Sequence, residues 1–383
     1  MTSALFPDSK YELSPLFRAE RSLDSEDVFK LFSGTGSDRQ TLEFSSADLL
    51  NWLLSLTQPA PRAELERSLA RRLDFADLEE ASTLVDYFIE HETLTPEDVA
   101  SRYRVKGDIW ERWGWRDAYD FHAATRGLRF EKLWGSEKGR ELFESYVADP
   151  SFGPQPTIFK EIEAIGPAVG FQEDDDEAPI GGRTLADALT CTAPALPADD
   201  VGALRVEDLG ALLGHAFSTQ RTMEVAVLGP HQQKCYPSGG ARHPLELYVA
   251  ARRVDGLPAG IYHYDPLLRE LNPVADSAAV AQIDGVAPDR PEMAAADAVL
   301  FLTVRWIRHN WKYRYARSYR MVLMEAGHAA QALRVAGSAL DLDLACSPTV
   351  DEAGAERALG LLDQWQESVV GVLGVGRRHN RDQ

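Results

Sequence analysis

Cysteine is scarce in this chain and never closely paired. Cys191, Cys235 and Cys346 are its only three among 383 residues. No Cys-x-x-Cys occurs, which argues against a disulfide framework and against a structural zinc site. Long apolar runs are missing as well: no stretch reaches the roughly 18 residues that a spanning helix needs. The opening residues, Met-Thr-Ser-Ala-Leu-Phe-Pro-Asp, lack the basic head and apolar stretch of a signal peptide. These absences predict a soluble, cytoplasmic protein. Cations are in deficit, with 40 Lys and Arg against 60 Asp and Glu and a net charge of −20. Such a surface repels phosphate backbones and anionic lipid, so neither nucleic acid nor a membrane is an expected partner. No Gly-x-Gly-x-x-Gly follows a strand pattern, which argues against a Rossmann dinucleotide site. Glu325-x-x-His328 has no second such pair and no two further glutamates to complete a di-iron bundle. It reads as a structural hydrogen bond within one helix, and no metal is expected.

Residues 1–100 read as a domain of their own. Apolar stretches at Tyr11–Phe17 and Val28–Phe32 suggest strands, with a Gly-Thr-Gly turn at 34–36. Ser45-x-x-Asp48 opens a helix bearing Leu49, Trp52, Leu53 and Leu56. Pro61 starts a second helix with Leu65, Leu69 and Leu73, and a third carries Leu78, Ala81, Val85, Phe88 and Ile89. Strands with three short helices look like a winged helix. From Asp74 to Asp98 there are nine acids and no Lys or Arg, the wrong charge for a DNA-reading element. A leader-peptide clamp, in which an extended peptide adds to a sheet edge, suits that charge better. Residues 101–182 follow as an aromatic helical brace with Trp110, Trp113, Trp115 and Trp134. A proline-rich linker with the acidic run Glu173–Glu177 completes that segment.

Residues 183–383 alternate strand and helix. A helix is expected over Leu204–Phe217, strands over 245–251, 259–264, 297–304 and 368–375, and a long helix over Ser318–Leu340. The long helix has a stripe rich in Ala and Gly, which lets another backbone come close and suits the centre of a dimer. Pro237-Ser238-Gly239-Gly240-Ala241-Arg242-His243-Pro244 leads into the first of these strands. Its two glycines give backbone that can reach positive φ and lie against a flat ligand. Lys312-Tyr313 sits in a cationic run, Arg305 to Arg320, that holds no acid. Such cations suggest an anionic ligand, or a field that lowers a phenol's pKa, since a nearby ammonium favours tyrosinate.

Four motifs occur in one order. They are Pro-Ser-Gly-Gly-Ala-Arg-His-Pro-Leu-Glu, Gly260-Ile261-Tyr262-His263-Tyr264-Asp265-Pro266, Lys312-Tyr313, and Glu325-Ala326-Gly327-His328-Ala329-Ala330-Gln331. The set resembles the SagB-type dehydrogenases, flavin enzymes of the nitroreductase fold that oxidise thiazolines and oxazolines to azoles in ribosomally made peptides. The likeness runs from residue 180 to residue 378. It implies an α+β fold: a nitroreductase-like FMN domain with a long central helix and a mixed sheet, preceded by the winged-helix-like domain. It also implies a homodimer, a precursor peptide as substrate, and a cyclodehydratase as a possible partner.

The resemblance assigns catalysis to Lys312 and Tyr313, with Tyr313 the expected base and Lys312 the group that lowers its pKa. It places Pro237, Ser238, Gly239 and Gly240 along the flavin, and Gly374, Arg377 and Arg378 toward its phosphate. Azoline oxidation removes a proton and a hydride; a side chain can take the first, and only a cofactor the second. Members usually open the flavin domain with an Arg-Arg-Ser-x-Arg-like run that grips the phosphate. Here the matching residues are Leu189-Thr190-Cys191-Thr192-Ala193-Pro194-Ala195, without arginine, and Arg183 just upstream is the expected substitute. Three alternatives stand beside this reading: a flavin-free leader-peptide scaffold, which the departure favours, a same-fold reductase of dehydroamino acids using NAD(P)H, and a winged-helix regulator, against which the acidic helices speak.

Overall fold

The computed structural model describes residues 9–22, 25, 28–34, 40–126, 135–171, 185–189, 202–347, 349–361, 363 and 365–378. Among the features anticipated above, Thr35, Gly36, Trp134, Glu173–Glu177, Arg183 and Thr190–Ala195 lie outside them. The chain divides into two compact units, Met1–Glu131 and Lys132–Gln383.

The first unit holds β1 (Lys10–Leu13), β2 (Arg18–Arg21), β3 (Phe29–Ser33), β4 (Gln40–Phe44) and α1 (Ala47–Ser55). They are followed by β5 (Ala60–Pro61), α2 (Arg62–Leu73), α3 (Leu78–Glu90), β6 (Leu94–Pro96), α4 (Glu97–Glu111) and α5 (Arg116–Thr125). The strands form two small antiparallel sheets, β5-β1-β6 and β2-β3-β4. Ser46, one residue later than expected, caps α1: its side chain accepts from the Leu49 N–H at 3.2 Å. Asp77 caps α3 by accepting from the Glu79 and Glu80 N–H groups. The apolar faces of α1 to α3 meet over Leu31, Trp52, Leu53, Leu65, Leu69, Val85 and Phe88.

The second unit opens with α6 (Glu137–Ala148), β7 (Val169–Gly170), α7 (Leu185–Leu189), β8 (Leu204–Arg205) and α8 (Val206–Ala216). Then come β9 (Arg221–Val225), β10 (Gly229–Gln233), β11 (Leu245–Ala251), β12 (Val254–Asp255), β13 (Gly260–Asp265), β14 (Glu270–Ala275) and α9 (Ser277–Val280). It closes with β15 (Ala298–Arg305), α10 (Trp306–Asn310), α11 (Ser318–Ala339), β16 (Leu342–Ser347), α12 (Glu352–Ala358) and β17 (Glu367–Arg377). The main sheet runs β16-β17-β15-β11-β13-β14-β7. Every described pair in it is antiparallel. The expected mixed sheet is thus corrected: parallel pairing is confined to the short β8 and β12. Hairpin-like returns such as β13–β14 need no parallel crossover.

Alternation explains why β11 and β15 read as nearly continuous apolar runs. Leu245, Leu247, Val249, Ala298, Leu300, Leu302 and Val304 face the layer formed by α8 and α11. Tyr248, Ala250, Val299 and Phe301 point to the opposite core, with Val280, Ala355 and Ala358. Both faces are covered, so both sets must be apolar. On α11 the buried small and apolar residues are Val322, Ala326, Ala329, Leu333 and Gly337. A Cβ on Gly337 would collide with Leu344 of β16, so the small stripe serves the helix's approach to its own sheet. No helix of the described residues is long and apolar enough to cross a membrane.

Candidate active site

Sheet register brings the glycine loop and the Lys-Tyr pair to one place. Leu245, the first residue of β11, lies opposite Val304 near the end of β15. The loop 237–243 enters β11 at that end, and β15 leaves it through α10 into Lys312 and Tyr313. Gly240 takes φ +59°, and Ala241 and His243 are also left-handed at +53° and +42°. The Ser238 hydroxyl accepts the His243 N–H at 2.8 Å and closes the turn. A side chain at either glycine would not fit. A Cβ on Gly239 would lie 2.7 Å from Met321 Cε and 3.0 Å from His309 Cε1. One on Gly240 would lie 2.7 Å from Lys312 Nζ and closer still to the Tyr313 hydroxyl. Lys312 Nζ faces the Gly240 carbonyl at 3.4 Å. Pro237 is exposed at the mouth of the loop.

A buried arginine clamps this turn from below. Arg308 donates to the His243 carbonyl at 2.9 Å, the Thr157 carbonyl at 3.2 Å and Glu246 Oε1 at 2.5 Å. Glu246 Oε2 lies 2.9 Å from His263 Nε2. Burial opposes the charge on Glu246, but Arg308 and His263 outweigh it and hold the carboxyl below the usual range. Arg242 donates from Nε to the Arg308 carbonyl at 2.9 Å. Among the described residues its two terminal nitrogens are buried without a hydrogen-bond partner, and His309 is buried beside the turn, near the Ser318 backbone. Arg242 and His309 do not stand out in sequence; only the fold shows that they close around the glycines. The cationic run is also less unopposed than its sequence suggests, since Arg308 meets Glu246 and Arg314 meets Asp149 at 3.6 Å. Nor does Glu325 bond within its helix. It is buried and sits 3.6 Å from His243 Nδ1, while His328 is exposed.

The electrostatics exchange the expected roles of the pair. Burial pushes the Tyr313 phenol up to about 12, against the pull of Arg242. Burial, followed by the like charge of Arg242, brings Lys312 down to about 8. Of the two, Lys312 releases its proton first, as pH rises through about 8, while the phenol keeps its own to about 12. Desolvation outweighs any mutual stabilisation of an ammonium–tyrosinate pair. Beside Tyr313 opens a cavity of about 250 Å³ lined by Trp306, His309, Tyr315, Tyr319 and Val322. Trp306 and Tyr319 stack there, with centroids 5.2 Å apart and planes 15° apart. Two buried guanidinium nitrogens and an aromatic cavity beside the glycine turn fit a flat ring that bears hydrogen-bond acceptors, such as a flavin. Among the described residues no group of three or more His, Cys, Asp or Glu could hold a metal ion.

Gly374, Arg377 and Arg378 lie elsewhere. Gly374 pairs with Val299 and Ala345, at the opposite end of β15 from Val304. Arg377 is exposed. Arg378 is engaged with Asp343 at 2.7 Å and with the Leu342 carbonyl at 3.3 Å.

A family model described as Nitroreductase family matches residues 204–377. The second unit is a nitroreductase-family domain. Among curated proteins, the chain is 31% identical over 182 residues to the trifolitoxin-processing protein TfxB of Rhizobium leguminosarum bv. trifolii, covering 46% of this chain and 48% of that protein. It is 31% identical over 137 residues to the microcin B17-processing protein McbC of Escherichia coli, covering 34% and 47%. The chain thus spans about half the length of these relatives. Among solved structures it is similar to a chain of the E. coli microcin synthetase McbBCD complex with truncated pro-MccB17 bound. That match has a TM-score of 0.40 at 24% identity, covering 58% of this chain and 79% of the other.

Proposed function

We propose that this protein is an FMN-dependent dehydrogenase that oxidises thiazoline or oxazoline rings to azoles in a ribosomally made precursor peptide. The observation that carries this reading is the meeting of Lys312, Tyr313 and the glycine loop beside an aromatic cavity. The names of the two processing-protein relatives support a place in peptide maturation. Forming an azole from an azoline removes a proton from the α carbon and a hydride from the β carbon. FMN held beside the glycine loop would supply the hydride acceptor that no side chain can be, with oxygen as the terminal oxidant. Lys312, as the free amine, takes the proton. Tyr313 keeps its proton and serves as a hydrogen-bond donor that orients the substrate. Gly239 and Gly240 let Lys312 and Tyr313 lie directly against the loop.

Gly374 and Arg378 serve the same cofactor only if it spans two chains. From Ala298 to Val304 is about 20 Å of strand, and from Met321 to Arg334 about 20 Å of helix. One end belongs to the glycine loop and the other to Arg378. The exposed face of α11 carries Leu323, Met324, Gly327, His328 and Gln331, and Gly327 has open space where a Cβ would stand. A two-fold axis near Gly327, midway between Met321 and Arg334, would set each loop beside the partner subunit's Arg378 end. That arrangement supports a homodimer.

The first unit is assigned to capture of the leader peptide. Strand β2 has all four residues exposed at a sheet edge, which an extended peptide can extend. Removing it should be a KM effect, because tethering raises the local concentration of the core peptide. A cut after residue 100 would sever α4, so truncation belongs after Glu131. The truncated protein is expected to lose full-length peptide at low concentration while oxidising a short leaderless azoline at an unchanged rate. Equal handling of both peptides would leave the unit without a capture role.

The direct test is to load the purified protein with FMN and supply an azoline-containing precursor. Each ring is expected to lose two hydrogens by mass, with oxygen as oxidant and without NAD(P)H. A strict NAD(P)H requirement would indicate the reductase. Protein that binds no FMN at saturation would indicate the scaffold, which the missing arginine run favours.

A further inference from the structure

Helix α6 lies over the segment that carries Lys312 and Tyr313. Its residues Gly139, Phe143 and Tyr146 recur at i, i+4 and i+7 and so share one face. Gly139 is buried, and Phe143 and Tyr146 are half-buried. The Phe143 ring centroid stands 5.2 Å from Lys312 Nζ. Tyr146 meets Trp311 edge-on, with centroids 6.3 Å apart. We propose that α6 is a cover for Lys312, and that Phe143 is a positioning residue whose ring keeps water off the amine. The inference rests on the reading of Lys312 as the base and adds what sets that base's surroundings.

Three observations carry it. Lys312 is only 5% exposed, although it lies on the irregular segment between α10 and α11. Its amine has the Gly240 carbonyl at 3.4 Å, the Phe143 ring at 5.2 Å and the Tyr313 ring at 5.7 Å. Phe143 comes from a separate helix and is half-buried, so it forms a wall between the amine and solvent. Next, α6 is fastened where it lies. Arg314 Cζ is 3.7 Å from the Tyr146 ring centroid and 3.8 Å from that of Phe152, and Arg314 Nη1 is 3.6 Å from Asp149. Trp311 Nε1 donates to the Gly153 carbonyl at 3.3 Å. Trp311 and Arg314 bracket Lys312 and Tyr313 in the chain, so both fastenings stand beside the pair. Finally, the ring acts on an ammonium in two opposed ways of unequal size. Its face attracts a cation at this range, which favours the charged form. Its bulk excludes water, and the hydration an ammonium loses on burial exceeds that attraction. Burial first, and then the like charge of Arg242, brings Lys312 down to about 8. Facing the amine are Arg242 from the turn, His231 from β10, and His309 and Tyr313 from its own segment. Phe143 brings a neutral ring to that group, so its effect is on water and not on charge.

Titration of the full-length protein by NMR, with carbon-13 at lysine Cε, tests this. The Lys312 signal is assigned by its loss in Lys312→Met, and the readout needs neither flavin nor substrate. Because Phe143 is half-buried, Phe143→Ala admits water to the amine instead of leaving a dry void. Lys312 should then titrate above about 8, toward the ordinary lysine range. Phe143→Leu restores an apolar cover and should bring the titration back to the wild-type position. Tyr146→Ala loosens the fastening without touching the amine and should move Lys312 the same way by less. The rising limb of azoline oxidation against pH should follow the same order. A rise of one pH unit leaves about tenfold less free amine at pH 7. Phe143→Ala should therefore be about 10-fold slower there, with the gap closing as pH rises. A folded Phe143→Ala variant that titrates with the wild type overturns the cover. So does an equal upward move in Phe143→Leu, which marks disturbed packing and not the entry of water. Should Phe143→Ala fail to fold, Tyr146→Ala decides by the same titration. If Lys312 moves as expected and the rate profile does not follow, the cover stands and the reading of Lys312 as the base fails.

Discussion

Lys312→Met is expected to slow azoline oxidation about 10²- to 10⁴-fold while FMN stays bound, the range for loss of a general base. Methionine keeps the length of the stem and removes the amine. Lys312→Arg should be as slow, because a guanidinium stays charged throughout the working range. The pH profile supplies the sign. Lys312 titrates at about 8 under burial and the charge of Arg242. The active form is the unprotonated amine, so the wild-type rate should rise with pH through about 8 and level off above it. Arg242, Tyr313, His309 and His231 surround it, and none of the last three adds a cation: the phenol is raised to about 12, His309 is lowered to about 4, and burial lowers His231 as well. Tyr313→Phe should cost less and keep the same rising limb. If Tyr313→Phe abolishes turnover while Lys312→Met is tolerated, the phenol is the base after all.

Arg308→Met should destabilise the second unit by about 3–5 kcal/mol, the usual cost of orphaning a buried charge. It would strand Glu246 with His263 alone and release the His243 and Thr157 carbonyls. In the wild type the folded pKa of Glu246 is depressed. Its contribution is therefore present above the unfolded carboxyl pKa, about 4.3, and is lost as pH falls through the folded value. In the variant, burial without Arg308 raises that pKa instead. The variant then loses stability as pH rises above about 4.3, and its gap to the wild type narrows in acid. Replacing Glu246 with leucine in the same chain should restore much of the loss, since two apolar groups of similar size leave no stranded charge. Urea midpoints at pH 4 and pH 7 for the wild type, single and double variants would check this. A single variant that melts with the wild type at both pH values would show that the clamp contributes nothing.

Local pattern was enough wherever one face or one turn decided the outcome. The period of apolar residues marked α8, α11, β11, β13, β15 and β17 to within a few residues, because those elements bury whole faces. The paired glycines at 239 and 240 were read as backbone for a flat ligand, and in the structure the side chains of Met321, His309, Lys312 and Tyr313 lie against them. Charge exclusions were also sequence properties. What sequence could not carry was anything set by depth or by a distant partner. Lys312 and Tyr313 are adjacent in the chain, but desolvation, which is not a local property, decides which of them gives up its proton first. Glu325 was paired with His328 by helical spacing, yet the fold turns it inward to His243. Arg308 and Arg314 looked unopposed until Glu246 and Asp149 came to them from other segments. Phe143 carried no motif at all; only the packing of α6 against Trp311 and Arg314 set it over Lys312. Sequence thus determined which residues could do chemistry, because side-chain type and backbone freedom are local. Tertiary structure decided which residues meet and in which protonation state, because burial and long-range contacts set both.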